Sequence, residues 1–193
     1  MARTWRYSEP IVLASASPRR LELLSAVADD LTVIPADIDE SRVRARSPRA
    51  LVRELSRRKA LAVAGRAECA GKTVIGADTV VYLDKPYGKP RDRADAVRMI
   101  SELGGRTHRV YTGVTVVRGD KIRTFSVMSE VTFRELTREE IERYVDGHRP
   151  YDKAGGYAIQ EGEVVKEYRG SYTNIVGLPM ERLGAVLRAF PEE

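Results

Sequence analysis

The chain has 193 residues with 33 Lys and Arg against 28 Asp and Glu, a formal net charge of +5, and that length suffices for one well-buried core, so residues 1–193 read as a single domain. Hydrophobic residues make up 42% and charged residues 32%, an ordinary globular balance in which no apolar run reaches membrane-spanning length. The single cysteine, Cys69, excludes an internal disulfide and a cysteine-based zinc site, and basic residues interleaved with acids argue against a nucleic-acid binder, which clusters them.

At the start of the chain no apolar leader follows Met1-Ala2-Arg3, so the expected location is a reducing cytoplasm. Ile11-Val12-Leu13 reads as a short buried strand, and Ser15-Ala16-Ser17-Pro18-Arg19-Arg20 as a hydroxyl-rich turn that opens a helix with proline in its first turn. Free N–H groups at a helix start, two hydroxyls and two guanidinium groups together favour an anion such as phosphate. A serine N-cap beside surface arginines would leave the same pattern.

Leu31 to Ile34 reads as a second strand, ending in the acidic turn Asp37-Ile38-Asp39-Glu40. Ser47-Pro48 opens a long helix that runs to about Ala64 or Gly65. Thr73 to Tyr82 is strand-like throughout, and Gly76 inside it suggests a bulge or a close approach by a ligand. Within the same strand Asp78 is a carboxylate among apolar residues, where burial demands a metal, a basic partner or access to solvent. Asp39 and Glu40, which follow another strand, are placed to project from the same sheet edge.

Pro86, Gly88 and Pro90 mark a loop, and a helix is expected from Asp92 to Leu103, stopped by Gly104-Gly105. Arg109 to Val117 and Lys121 to Phe133 read as antiparallel strands joined at Arg118-Gly119-Asp120, and Thr137-Arg138-Glu139-Glu140 is a capping-box start for a helix ending near Asp146-Gly147. Tyr151 to Gln160 carries Gly155-Gly156, where backbone could approach a ligand closely; a hairpin-like segment is expected after it through Tyr168, and a final helix after Pro179. Basic residues are mostly Arg, so Lys59, Lys89 and Lys153, each beside another candidate residue, draw attention as compact point charges. The alternation of strands and helices predicts an α/β fold.

Taken in order, Ser15-Ala16-Ser17-Pro18-Arg19-Arg20, Glu40, Lys59, Gly76-Ala77-Asp78-Thr79, Lys89-Pro90, Asp152-Lys153-Ala154-Gly155 and Val176-Gly177-Leu178-Pro179 resemble the Maf family of nucleoside triphosphate pyrophosphatases across nearly the whole chain. The resemblance implies a mixed central sheet with flanking helices, two lobes around a cleft as in inosine triphosphate pyrophosphatases, a homodimer, and Mg²⁺ or Mn²⁺. It implies cleavage of a nucleoside triphosphate between its α and β phosphates, a house-cleaning role in the nucleotide pool. Asp78 would accept the proton of the attacking water and touch the metal, Glu40 would hold the metal, and Lys59, Lys89, Arg19 and Arg20 would neutralise phosphate, with Ser15 and Ser17 beside them.

Arg19, Thr79 and Gln160 match the residues of the dTTP/UTP branch, where the 7-methyl-GTP branch carries Trp, Gln and Glu. A neutral amide both donates to and accepts from a uracil or thymine edge. The chain departs from the family's pattern at Gly156 and Ala158, where Ala and Gly are usual. Competing readings are a 7-methyl-GTP-type enzyme and a non-enzymatic regulator of cell division or septum formation. The expected partners are a small nucleotide and a second copy of the chain; neither nucleic acid nor a membrane is expected.

Overall fold

The computed structural model describes residues 5–190; Met1-Ala2-Arg3, on which the expectation about a leader rests, lies outside the described residues. Strands β1 (Ile11–Leu13), β2 (Leu31–Val33), β3 (Thr73–Tyr82), β4 (Pro86–Tyr87), β5 (Thr107–Arg118), β6 (Lys121–Phe133) and β7 (Val165–Arg169) form one mixed sheet in the order β2-β1-β3-β5-β6-β7, with β4 paired to β3. β1 runs parallel to β2 and β3, and the later pairings are antiparallel.

Helices α1 (Pro18–Ser25), α2 (Pro48–Ala64), α3 (Arg93–Leu103), α4 (Arg138–His148), α5 (Tyr172–Val176) and α6 (Met180–Arg188) flank this sheet. Their ends follow local chemistry. Ser47 accepts from the Ala50 N–H and Asp92 from the Asp95 N–H, while Thr137 and Glu140 form the reciprocal capping box. No helix among the described residues is long and apolar enough to cross a membrane.

Three apolar clusters fill the space between the layers. α1 and α6 pack on one face of β1, β3 and β5 through Leu24, Ile75, Ala77, Val114 and Leu183. On the opposite face α2 packs on β1 and β3 through Val12, Ala60, Val63 and Val74. A third cluster, around Ile100, Phe133, Tyr144 and Tyr157, joins α3 and α4 to the far ends of β3, β5 and β6.

Two expectations need correction. Gly76 marks neither a bulge nor a ligand contact: β3 keeps regular register with β5, and a Cβ on Gly76 would lie 2.5 Å from the Ser56 carbonyl oxygen of α2. The segment from Gln160 through Tyr168 is not a hairpin, and the chain from Tyr151 onward reaches it through turns. The chain makes two single 3-10 turns, Ala154–Gly156 and Ile159–Glu161, and then β7, which pairs with β6. Gly155 and Gly156 have φ of +72° and +74°, which turn the chain away from extended pairing.

Candidate active site

β3 is paired with β5 from Val74 to Tyr82 on one side but only at its ends on the other. β1 covers Thr73 to Ile75 and β4 covers Val81 and Tyr82, so the stretch from Gly76 to Val80 borders a gap in the sheet. A cavity of about 660 Å³ opens there, lined by the Ser15–Arg20 turn, Glu40, Lys59, Asp78, Thr79, Lys89, Lys153 and Gln160 among others. Of the side chains singled out for chemistry in the sequence, Ser15, Ser17, Arg19, Arg20, Glu40, Lys59, Asp78, Thr79, Lys89, Lys153 and Gln160 reach this one cleft, and Asp39 does not.

Strand alternation distributes the roles. Gly76 and Asp78 face α2, so the Lys59 ammonium, three residues beyond Ser56 on that helix, donates to Asp78 Oδ1 at 2.6 Å and forms an ion pair with Glu40 Oε1 at 2.9 Å. The Lys59 and Asp78 side chains are 12% and 11% exposed, and that of Glu40 is 54% exposed. Burial pushes the Asp78 carboxyl above its ordinary value, against the pull of Lys59 and Arg20, with Glu40 adding a smaller push upward. Asp39 parts company with Glu40: it caps the Ser41 N–H and pairs with Arg42 at 2.8 Å, so it shapes the turn and does not project beside Glu40.

Thr79 faces the opposite side, toward α1. There Arg20 gives Nε to the Gly177 carbonyl at 2.8 Å, Nη1 to Ser15 Oγ and to the Ala77 carbonyl at 3.0 Å each, and Nη2 to Thr79 Oγ1 at 3.0 Å. Four of its five protons are thereby committed to protein acceptors, one of them a β3 carbonyl at the gap. Ser15 also accepts from the Ser17 N–H, and the Ser17 hydroxyl caps nothing. The first helical bond of α1 runs from Leu21 N–H to the Ser17 carbonyl, so the Arg19 and Arg20 amides stand free at the positive end of the helix.

Arg19 reaches across the cleft to Asp152, with Nη1 2.7 Å from Oδ2 and Nη2 3.2 Å from the carbonyl oxygen. Lys153 sits 3.1 Å from Asp152 and 3.6 Å from Glu161. Lys89 is exposed with no ion pair among the described residues, and Gln160 is exposed with no hydrogen bond among them. The loop carrying Gln160 is anchored by the Gly155 N–H on the Gly88 carbonyl and by Tyr157, whose hydroxyl lies 2.8 Å from His108 Nε2. Burial lowers the His108 imidazole to about 4, so it is neutral there. Ala158, one of the two departures, has φ −127° and carries its methyl without strain, whereas Gly156 occupies a left-handed conformation that suits glycine.

Sequence reading missed His108 and Thr112. Their signal was weak: each is a polar residue on the face of β5 that otherwise carries Val110, Val114 and Val116, in a strand whose other face is itself mixed.

For a divalent cation, no group of three or more His, Cys, Asp or Glu side chains converges among the described residues. Two carboxylates do converge, on Lys59, and Asp78 Oδ2 makes no hydrogen bond among the described residues yet is not sealed from the cleft. That donor set fits Mg²⁺ or Mn²⁺, which take one or two carboxylates and complete their shells with water and substrate phosphate.

The chain matches the family described as Maf-like protein over residues 10–190. It is 47% identical to a dTTP/UTP pyrophosphatase of Desulforamulus reducens over 95% of this chain and 98% of that one. It is 46% identical to a dTTP/UTP pyrophosphatase of Thermosipho africanus over 92% and 91%, and 44% identical to that of Symbiobacterium thermophilum over 94% of each. The crystal structure of a nucleoside-triphosphatase / dITP/XTP pyrophosphatase from Mycobacterium abscessus aligns with a TM-score of 0.39 at 12% identity, covering 66% of this chain and 73% of that one. The fold rests on the sheet order above and not on this last likeness.

Proposed function

We propose that this chain, which belongs to the Maf-like protein family, is a nucleoside triphosphate pyrophosphatase that hydrolyses dTTP and UTP to the monophosphate and pyrophosphate. The observation that carries the reading is a raised, cleft-facing carboxylate, Asp78, held by Lys59 beside a cationic turn with free helix amides. In the proposed reaction Asp78 takes a proton from water as its oxygen bonds to the α-phosphorus and the bond to the α–β bridging oxygen breaks. Lys59 keeps Asp78 oriented and balances its charge. Lys89, Arg19, the α1 amides and the hydroxyls of Ser15 and Ser17 receive the triphosphate, and Arg20 adds positive charge from behind.

Glu40 and Asp78 would hold a divalent cation, which supplies charge neutralisation for the triphosphate when bound. Gln160 presents its free amide to the base, with Arg19 and Thr79 on the same cleft. The reading includes a single domain, supported by one continuous sheet from β2 to β7. A cytoplasmic location suits the buried free thiol of Cys69, and a homodimer is carried by the family resemblance. The cleft carboxylates oppose a nucleic-acid partner by repelling its backbone.

The test is pyrophosphate release from UTP. Purified protein is expected to turn over UTP with Mg²⁺ or Mn²⁺, to stop on addition of EDTA, and to recover when metal is returned in excess. Undiminished turnover in metal-free buffer would remove the cation from the reaction, and no release from UTP or dTTP under any condition would sink the assignment.

Gln160→Glu should lower kcat/KM for UTP on the order of tenfold or more, because a carboxylate cannot donate to a base carbonyl and repels it. The side chain is exposed and makes no hydrogen bond within the described fold, so Tm should hold. An unchanged kcat/KM would place base recognition elsewhere on the loop.

A further inference from the structure

The segment Gly170 to Pro179 sends no charged side chain into the cleft, yet it meets the cleft through a chain of buried hydrogen bonds. Arg20 Nη2 lies 3.0 Å from Thr79 Oγ1, Thr79 Oγ1 lies 2.9 Å from Thr112 Oγ1, and Thr112 Oγ1 lies 2.9 Å from the Asn174 carbonyl oxygen. Thr79 and Thr112 stand directly opposite each other in the β3–β5 register. Thr112 and Asn174 are both 0% exposed.

The direction of every proton in this chain is fixed by elimination. The guanidinium only donates and the Asn174 carbonyl only accepts, so the single Thr112 proton goes to Asn174. Thr112 then has only a lone pair for Thr79, and the Thr79 proton must point at Thr112. Arg20 completes the arrangement from the other side, since its Nε donates to Gly177, the residue that ends α5.

The far end of the chain is equally anchored. Asn174 Nδ2 donates to the Val110 carbonyl at 3.1 Å and to Ser129 Oγ at 3.0 Å, and Ser129 Oγ donates to the Ser171 carbonyl at 3.0 Å. Strands β5 and β6 therefore hold α5, and α5 in turn holds Arg20 and Thr79.

We propose that Thr112, acting with the Asn174 carbonyl, is a positioning residue that sets the orientation of Thr79 and Arg20 at the substrate cleft. It touches neither substrate nor Asp78. Its effect belongs to binding, because Asp78 and Lys59 lie on the other face of β3 and outside the chain of bonds. The proposal rests on the pyrophosphatase reading for the identity of the ligand.

Two substitutions separate the hydroxyl from the volume it occupies. Thr112→Val keeps the shape and removes the proton, leaving the Thr79 proton without its acceptor and the Asn174 carbonyl with only the Gly177 N–H, 3.1 Å away. Thr112→Ser keeps the proton and loses a buried methyl. For each variant kcat and KM for UTP, Tm, and the Kd of α,β-methylene-UTP, whose bridge resists cleavage, are to be measured beside the wild type.

Thr112→Val is expected to raise both KM and the analogue Kd roughly tenfold, with kcat falling less than about threefold. Thr112→Ser is expected to restore KM and Kd to near wild type even where its Tm is as low as that of Thr112→Val. If KM and Kd instead follow Tm across the two variants, or if Thr112→Val binds as tightly as wild type, Thr112 is a packing residue and the proposal fails. A wild type that binds the analogue but releases no pyrophosphate overturns the reaction while the Kd series still decides the role of Thr112. A wild type that does neither overturns both.

Discussion

Asp78→Asn should lower kcat for UTP roughly 10²- to 10⁴-fold, the range expected when a positioned proton acceptor is removed. The amide is close in size, and its oxygen can still accept from Lys59, now at 2.6 Å from Oδ1. The fold should therefore survive, and stability should respond in an unusual direction. Burial holds the carboxyl above its ordinary value, so the folded chain binds this proton more tightly than the unfolded chain does. As pH rises through the window between the two values, ionising Asp78 costs stability, and Asn is free of that cost. Tm of the variant at neutral pH should equal or exceed that of wild type, with a flatter pH dependence. In the wild type, kcat/KM should fall as pH drops through the raised value, because only the carboxylate can accept the proton. Activity within a few fold of wild type, in a variant shown to be folded, would remove Asp78 from the mechanism.

The same strand shows what was legible in the sequence and what was not. An acid inside an apolar run announces itself, because a carboxylate there needs a reason. Caps and breakers were equally readable: Ser47, Asp92 and the Thr137–Glu140 box each satisfy backbone N–H groups locally, and those bonds need no knowledge of distant residues. The family resemblance drew the candidate residues into one site before any contact was known. Geometry then divided them: Arg20, read as a phosphate ligand, spends most of its donors on Ser15, Ala77, Thr79 and Gly177. Asp39 and Glu40, adjacent in sequence, go to different tasks. Thr112 was invisible because its importance lies in the residue across the strand pair and in a carbonyl 62 positions away. Short elements such as β4 and α5 escaped for another reason, since two and five residues are too few to establish a period.

Gly113→Ala should damage both stability and turnover, because what the glycine admits is backbone. A Cβ at this position would lie 2.2 Å from the Val52 carbonyl oxygen and 2.8 Å from the Arg53 nitrogen, atoms that no rotamer change can move. Gly113 is the register partner of Asp78, so α2 rests on the sheet directly beside the strand that carries Asp78. An added methyl must push α2 away. Overpacking of this kind costs about 1–3 kcal/mol, which for a chain of this length lowers Tm by roughly 2–4 °C per kcal/mol. Lys59 rides on the displaced helix, so its 2.6 Å bond to Asp78 should lengthen, and kcat should fall by more than the loss of folded protein explains. Gly147→Ala is the control: it lies within α4, has ordinary φ and meets nothing within 4 Å. There the methyl should stabilise by about 0.5–1 kcal/mol through helix propensity and leave kcat alone. If Gly113→Ala behaved like Gly147→Ala in both measurements, the close seating of α2 on the sheet would not be what holds Lys59 against Asp78.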